Sequence, residues 1–515
     1  MTSSGSSSLA NKGRTLAETI QLTDTEREIC ELLVGVVEDI HQGKQASQPK
    51  LELRIAGGWV RDKLLGLESH DIDIAIDHMS GYELAQHVNR YLSERGQAVS
   101  SIAKISQNPE RSKHLETATT SVLGQLVDFV NLRSEIYNAN SRIPEIAFGT
   151  AEEDAQRRDI TINALFYNIH TRQVEDYTGR GMEDLRQGVV RTPLEPFKTF
   201  SDDPLRVLRV VRFASRFEYL IDEETAAAIM RPEIRRDLDA KISRERVGVE
   251  LEKMAGGPHP LLSIQLILRF GLYESIFRTP PRDQWMCSEQ AAAEARDTAA
   301  AEAATRCVLR VLGDGGSGPG ALMRSLPAPW QGAAAMQRAL MLGAYLYPYR
   351  NVQANDKKKT VALAHLVIRD GVKLSHADVE TTLELHRFAT EIASMADACV
   401  GGRADRRALG LQIRSIGARW PQCVVFAAAA EELCAGATSS ALAEKYGAYV
   451  RRVVDDGLAD AYAMKHVVDG TAAARILGLR PGPAIRGVLD RVMEWQLEHP
   501  QGTREECEAY LREGM

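Results

Sequence analysis

The stretch AGGWVRDKLLGLESHDIDIAID, residues 56–77, restricts the architecture more tightly than any other part of the chain. LELRIA (51–56) reads as a strand, Gly57-Gly58 breaks it, Val60 to Leu65 give about one and a half helical turns, and Gly66 stops them. In DIDIAID (71–77), Asp71 and Asp73 share one face of a second strand while Ile72, Ile74 and Ile76 share the other. Two glycines between a strand and a helix N-terminus let backbone N–H groups approach an anion, and the helix dipole favours phosphate there. Two residues of strand separate the carboxylates by about 6–7 Å. That is the scale needed to hold two divalent ions ~4 Å apart over a triphosphate. Oxygen-only ligation beside phosphates suits Mg²⁺. The competing reading is a strand edge decorated with acids against aggregation, but Asp71, Asp73 and Asp77 on one face repel one another unless cations offset the charge.

Around this stretch the chain changes character. Thr23 with Glu26 forms a capping box ahead of a helical run (Ile29, Leu32, Leu33, Val36, Val37, Ile40), so folded structure is predicted from residue 23. Residues 1–22, Ser-rich with Lys12, Arg14 and the acid Glu18, read as a disordered tail or an organelle-targeting segment. Residues 23–170 mix short strands (51–55, 71–76, 125–130) with helices, the pattern of a small α+β unit. After about residue 200 the strand signal disappears, and Ala, Leu, Arg and Glu predict a mostly α-helical neck (171–280), body and tail (281–515). RTPPRD (278–283) and GDGGSGPG (313–320) flank an Ala-rich piece with little to bury, read as a variable surface insertion at about 287–320.

At 515 residues, with 44% hydrophobic and 26% charged content, the chain is an ordinary soluble multidomain protein. Its net charge of -7 excludes a generic polyanion-coating role but leaves room for a local basic cleft. Seven scattered cysteines without Cys-x-x-Cys argue against a disulfide framework or a structural zinc site and imply a reducing compartment. No apolar run reaches membrane-spanning length, so no membrane partner is expected.

Further blocks follow in order. RRDITINALFYN (157–168) puts Asp159 and Asn163 on one helical face, able to bond a ribose 2′-hydroxyl as acceptor and donor, with Arg158 able to reach a phosphate. DYTGRGMEDLRQGVVRTP (176–193) is a Gly-containing turn before a helix. SDDPLRVLRVVRFASRF (201–217) places Pro204 at a helix start after Asp203, with Arg206, Arg209, Arg212 and Arg216 recurring on one side; taken alone this is an N-cap with a solvated arginine stripe. KISRERVGVELEKM (241–254) packs as an ordinary amphipathic helix.

GGWVRDKLLG with DIDIA, and these blocks in this order, resemble the DNA polymerase β-like nucleotidyltransferase superfamily. The likeness is to class II tRNA nucleotidyltransferases (CCA-adding enzymes) of eukaryotic type, which also resemble bacterial poly(A) polymerases. The resemblance implies an α+β nucleotidyltransferase head with a small mixed sheet, then a helical neck, body and tail that bind tRNA. It implies metal ligation by Asp71 and Asp73 with Asp128 as third catalytic carboxylate, nucleotide contacts from Gly57, Gly58, Arg61, Arg158, Asp159, Asn163, Arg209 and Arg212, and a protein template for the incoming base made of Asp203 and Arg206. It makes 176–193 a hinge, 241–254 a support for the template helix, and NPERSKH (108–114) a mobile loop.

The template follows from donors and acceptors. A carboxylate only accepts and a guanidinium only donates, so the pair fits an exocyclic amine beside an unprotonated ring nitrogen, as in cytosine and adenine. Guanine and uracil present the reverse and would leave buried groups unpaired. Where many bacterial relatives have Glu-Asp, this chain has Asp202-Asp203. The implied activity is addition of C, C and A to the tRNA 3′ end from CTP and ATP with Mg²⁺. The alternatives are a CC-adding or A-adding relative, a poly(A) polymerase, or a non-catalytic tRNA-binding protein. A full-length loop before Glu116 weighs against the CC-adding form, and intact Asp71, Asp73, Asp203 and Arg206 weigh against the non-catalytic one. The expected location is the cytoplasm, with nucleus and mitochondrion left open by the N-terminus.

Overall fold

The structure is a computed structural model that describes residues 15–42, 50–105, 117–136, 145–313, 320–328, 330, 333–436, 438–480 and 482–513. NPERSKH, Glu116 and most of the N-terminal tail lie outside the described residues. The chain forms two compact units: one runs to Glu250 and takes in Arg269–Ser275, the other comprises Leu251–Leu268 and Ile276 onward.

In the first unit, helix α1 (Asp24–Gln42) starts at the expected capping box, with the Glu26 N–H donating to Thr23 Oγ1 at 3.2 Å and the Thr23 N–H to Glu26 Oε2 at 2.8 Å. Glu26 also accepts from the indole of Trp59 (3.0 Å) and from Lys63 (2.7 Å), so the cap ties α1 to α2 (Gly58–Leu64). The strands are β1 (Leu53–Ala56), β2 (Ile72–Ile76), β3 (Ala103–Ile105), β4 (Thr117–Val122), β5 (Gln125–Asn131), the separate pair β6 (Arg133–Ile136) and β7 (Glu145–Phe148), then β8 (Phe166–Asn168) and β9 (Gln173–Glu175). Seven of them form one sheet in the order β3-β4-β5-β2-β1-β8-β9, mixed because β2 and β5 run parallel while every other pair is antiparallel. Helix α3 (Gly81–Glu94) follows β2 and buries Leu84, Val88 and Leu92. A side chain at Gly81 would strike the backbone oxygen of Phe129 in β5, so the close approach of α3 to the sheet requires glycine there. The alternation expected of β2 holds: Ile72, Ile74 and Ile76 are buried with Val127 and Phe129, and the acids take the other face.

Helix α4 (Ala151–Gln156) precedes β8. Beyond β9 come α5 (Gly181–Gln187), β10 (Val189–Val190), α6 (Pro196–Asp202), α7 (Leu205–Phe217), β11 (Leu220–Ile221), α8 (Glu223–Ile229), α9 (Pro232–Lys241) and α10 (Arg244–Ala255). The expectation that strands end near residue 200 needs correction: β11 pairs with β10, and the second unit carries a small sheet of Trp285–Met286, Gln353–Asp356 and Lys359–Ala362. Strands this short leave no periodicity to read.

The second unit is otherwise helical, with His376–Val400 packed on Trp420–Ala435 and Ser439–Asp455 around Phe388, Phe426, Tyr446 and Tyr449. Here the Ala-rich segment departs from the surface insertion expected of it. Helix Ala299–Leu312 buries Ala301, Ala304, Cys307, Val308 and Leu312 and packs on Trp420–Ala435, because small side chains let two helices approach closely. Among the described residues no helix is long and apolar enough to cross a membrane.

Candidate active site

Parallel pairing of β2 with β5 sets Asp73 directly opposite Asp128. Asp73 is half-buried, and its carboxyl is raised to about 6 by burial first, then by the charge of Asp128 and, less, of Asp71, with Arg158 opposing. Asp128 is exposed and accepts from the Thr119 hydroxyl on β4; Asp71 is exposed and stands one residue before β2 rather than within it. Asp77 does not join them, since its carboxylate caps the far end of the strand by accepting from the Glu52 (3.3 Å) and His78 (2.9 Å) backbone N–H groups. The acid facing Asp73 is therefore Asp128. Facing carboxylates that repel one another offer the hard oxygens a divalent ion takes. Among the described residues no three His, Cys, Asp or Glu side chains converge as a metal site, so the acids that face each other here are the pair Asp73 and Asp128.

The glycine turn lies beside these acids. Gly57 has φ +72°, and a Cβ there would come within 2.6 Å of Arg158 Nη1, so the arginine lies against bare backbone. Arg158 donates to Asp154 Oδ2 at 3.0 and 2.8 Å and to the Asn163 carbonyl at 2.9 Å. Asp154 also accepts from Arg157. Burial alone would raise the Asp154 carboxyl, but Arg158 and Arg157 together hold it below the ordinary range. Asp73, Asn131, Arg133, Asp154, Arg157 and Arg158 line one cleft. Arg61, expected at the nucleotide, is instead 3% exposed; it pairs with Asp62 at 2.8 Å, donates to Asn163 Oδ1, and lies over the rings of Phe213 and Phe217. It braces Asn163 from behind.

Asp159 and Asn163 do meet, but not on a helical face. Ile160 is extended and Thr161–Asn163 form a single 3₁₀ turn, so the Asn163 amide donates back to Asp159 Oδ1 at 3.3 Å. Arg209 donates to Asp159 Oδ2 at 2.7 Å. The arginine stripe of α7 is likewise not a free solvated one: Arg206 and Arg212 are buried, and the exposed Arg216 and half-buried Arg209 have acidic partners. Arg206 donates to the Arg157 carbonyl (2.7 Å) and lies 3.7 Å from Glu135, Arg212 pairs with Glu250 at 2.5 Å and is buried, and Arg216 lies 3.6 Å from Asp62. Arg212 thus fastens α7 to α10 and is not turned toward a nucleotide. Pro204 sits in the turn before α7, and Asp203 Oδ1 accepts from the Leu205 N–H at 3.2 Å. A second cleft, lined by Glu135, Arg157, Lys198, Thr199, Asp202 and Arg206, shares Arg157 with the first. Sequence reasoning missed Asp154, Glu135, Arg157, Arg246 and Glu250. The spacing of Asp154 to Arg157 and Arg158, three and four residues, was the available signal.

Residues 53–191 match the poly A polymerase head domain, and residues 219–282 match the probable RNA and SrmB-binding site of polymerase A. The mitochondrial CCA tRNA nucleotidyltransferase of Saccharomyces cerevisiae is 38% identical, over 99% of this chain and 97% of its own length. The chain belongs to the tRNA nucleotidyltransferase family. The tRNA nucleotidyltransferase cca2 of Schizosaccharomyces pombe is 34% identical over 96% of this chain and 98% of its own. Among solved structures, a CCA-adding enzyme in apo form II superposes with a TM-score of 0.62 at 18% identity, covering 96% of this chain and 97% of the other. A CCA-adding enzyme with ATP gives 0.58 at 19% identity over 95% and 93%. At those identities the likeness is one of fold. Tied to the tRNA nucleotidyltransferase head, Asp71, Asp73, Asp128, Arg158 and Asp159 all fall inside the 53–191 match, whereas Asp203 and Arg206 lie between the two matched spans.

Proposed function

We propose that this nucleotidyltransferase adds C, C and A to the 3′ end of tRNA from CTP and ATP, without a nucleic-acid template. The observation that carries the reading is Asp73 facing Asp128 across parallel strands, with Arg158, which lies against the Gly57 turn, lining the same cleft as Asp73. Asp71, Asp73 and Asp128 are the residues that would hold Mg²⁺, whose charge, when bound, stabilises the transferring phosphoryl group and lowers the pKa of the attacking hydroxyl. Arg157 and Arg158, fixed by Asp154, orient the triphosphate by charge-assisted hydrogen bonds. Gly57 and Gly58 let backbone approach it. Asp159 keeps one acceptor direction on Oδ2 beside Arg209, which suits a ribose 2′-hydroxyl. Asp203 and Arg206 read the base edge, accepting an amine and donating to a ring nitrogen.

The head (23–170) and neck (171–280) carry this chemistry, and the body and tail (281–515) hold the tRNA. The mitochondrial names of two relatives support a mitochondrial pool, with Lys12 and Arg14 in a Ser-rich start, beside the cytoplasm and nucleus.

The deciding experiment is incubation of purified protein with tRNA ending at the discriminator base, with each nucleotide alone and with CTP and ATP together. Two additions from CTP alone and three from the mixture are expected. Arrest at two in the mixture would mean a CC-adding enzyme, extension only of a parallel tRNA already ending in CC an A-adding enzyme, a run of A a poly(A) polymerase, and no extension of either tRNA a binding protein.

A further inference from the structure

Asp203 stands in the corner between α6 and α7 with extended backbone, and its side chain is 17% exposed. Its carboxylate has about four lone-pair directions. One on Oδ1 takes the Leu205 N–H at 3.2 Å, the first free amide of α7. Arg246, at the start of α10, takes one more on each oxygen: Nη1 donates to Oδ1 at 3.3 Å and Nη2 to Oδ2 at 2.7 Å. That leaves one direction on Oδ2. A planar guanidinium bonded to both oxygens fixes the plane of the carboxylate as no lysine can. At 34% exposure Arg246 stands beside Asp203 at the edge reached from solvent, not behind it in the core.

We infer that Arg246 is a positioning residue for base choice: its fork fixes the carboxylate plane of Asp203 so that the remaining acceptor direction meets an exocyclic amine and not a carbonyl. The inference rests on the reading of Asp203 as part of the base template. Four residues further along the same face of α10, Glu250 accepts from Arg212 at 2.5 Å and lies 3.9 Å from Arg209. Glu250 is buried, 4% exposed, and its partners on α7 are Arg212, itself buried, and Arg209, which holds Asp159; neither touches Asp203. One helix therefore grips α7 at two rungs, one at the base-reading corner and one in the interior. The two rungs make different predictions. Loss of the Glu250 rung loosens α7 as a whole, whereas loss of the Arg246 rung frees one carboxylate to rotate.

The test is kcat/KM for CTP, ATP, UTP and GTP with full-length wild type, Arg246→Ala, Arg246→Lys and Glu250→Gln, alongside thermal melts. Arg246→Ala should lower the preference for CTP over UTP and for ATP over GTP by ~10-fold or more, since an acceptor that can turn away no longer penalises a carbonyl. Arg246→Lys, which keeps the charge without the fork, should lose part of that preference, and it serves as the test if the alanine variant does not fold. Glu250→Gln should melt earlier and slow all four nucleotides alike. Equal losses for all four nucleotides in the Arg246 variants, or an unchanged preference, would overturn the inference and leave Arg246 as scaffold. A wild type without preference for CTP and ATP would instead overturn the template reading, before any variant is considered.

Discussion

Asp159 sits where three segments meet, and each bond it makes narrows what a nucleotide can find there. Oδ1 is taken by the Ile160 N–H at 3.0 Å and the Asn163 amide, and Oδ2 by Arg209, so any ribose hydroxyl has one acceptor direction to use. Asp159→Ala is expected to reduce the CTP over dCTP preference by ~10-fold or more, because the hydroxyl that distinguishes the two sugars loses its partner. Steady-state kinetics with both nucleotides checks this, and equal losses for both sugars would make Asp159 a structural anchor for Arg209. At Asp73 the expectation runs in opposite directions for activity and stability. Asp73→Asn should abolish addition while raising the melting temperature in metal-free buffer, because it removes one of two facing charges from a half-buried site. A variant that melts lower than wild type without metal would count against that electrostatic account. The alternation of DIDIAID announced Asp71 and Asp73 in the sequence, but their partner Asp128 is 55 residues from Asp73. Only the parallel pairing of β2 with β5 brings it into register, and no local pattern encodes that.

At the scale of elements, α4 and the turn after it are held by one carboxylate. Asp154 is 2% exposed in its side chain, takes both Arg157 and Arg158, and accepts the Arg133 backbone N–H at 3.3 Å, so it joins α4 to β6 and to the cleft that Asp73 lines. Its folded-state pKa lies below the ordinary value, so the stability it contributes is complete above the unfolded value of about 3.9 and is lost as pH falls through the folded value. Asp154→Asn should therefore lower the melting temperature at pH 7 by roughly 6–12 °C, from a broken buried pair costing about 3 kcal/mol. The gap to wild type should close below about pH 4. Melting curves of both proteins across pH 3 to 7 (~one-unit steps) check this; a gap constant with pH would mean lost packing and not lost charge. The same region shows why elements were only partly legible. TIN (161–163) continues a helical-looking spacing, but Thr161 and Ile162 are β-branched and stiff, and the chain makes one 3₁₀ turn where a helix was expected. Conversely the Ala-rich segment looked like surface because alanine is its only apolar residue from 291 to 305, yet small residues on one face are what a closely packed helix pair uses.

Across the whole molecule, every candidate site residue from Gly57 to Glu250 belongs to the first compact unit, and the second unit builds its own core. The mixed strand-and-helix head was legible in the sequence, but not this division, which falls after Glu250 inside a helix. The surface meant for RNA was not legible either, because basic residues in sequence do not reveal which are already paired. GGRADRR (401–407) shows the difficulty: Arg407 pairs with Glu498 at 3.0 Å and Arg406 donates to the Leu497 carbonyl, so neither is a free phosphate contact. By contrast Lys357, Lys358 and Lys359 crowd the turn of the hairpin between Gln353–Asp356 and Lys359–Ala362, all exposed, and none makes an ion pair among the described residues. Lys357 holds φ +58° at a position where a turn favours glycine, a backbone cost that keeps a charged side chain at the tip. With a net charge of -7 the protein as a whole repels a polyanion, so tRNA affinity has to come from such local cations and must fall steeply with salt. If three to five phosphates are neutralised, a rise from about 50 to about 200 mM salt should weaken tRNA binding roughly 30- to 300-fold. Replacing the three lysines by serine should flatten that dependence, reducing the slope of log KM for tRNA against log salt by about 2–3 while leaving KM for CTP unchanged. Steady-state kinetics over a salt series gives both slopes. An unaltered slope would show that tRNA does not touch this hairpin, and a raised KM for CTP would show that the substitution had disturbed the fold instead of a phosphate contact.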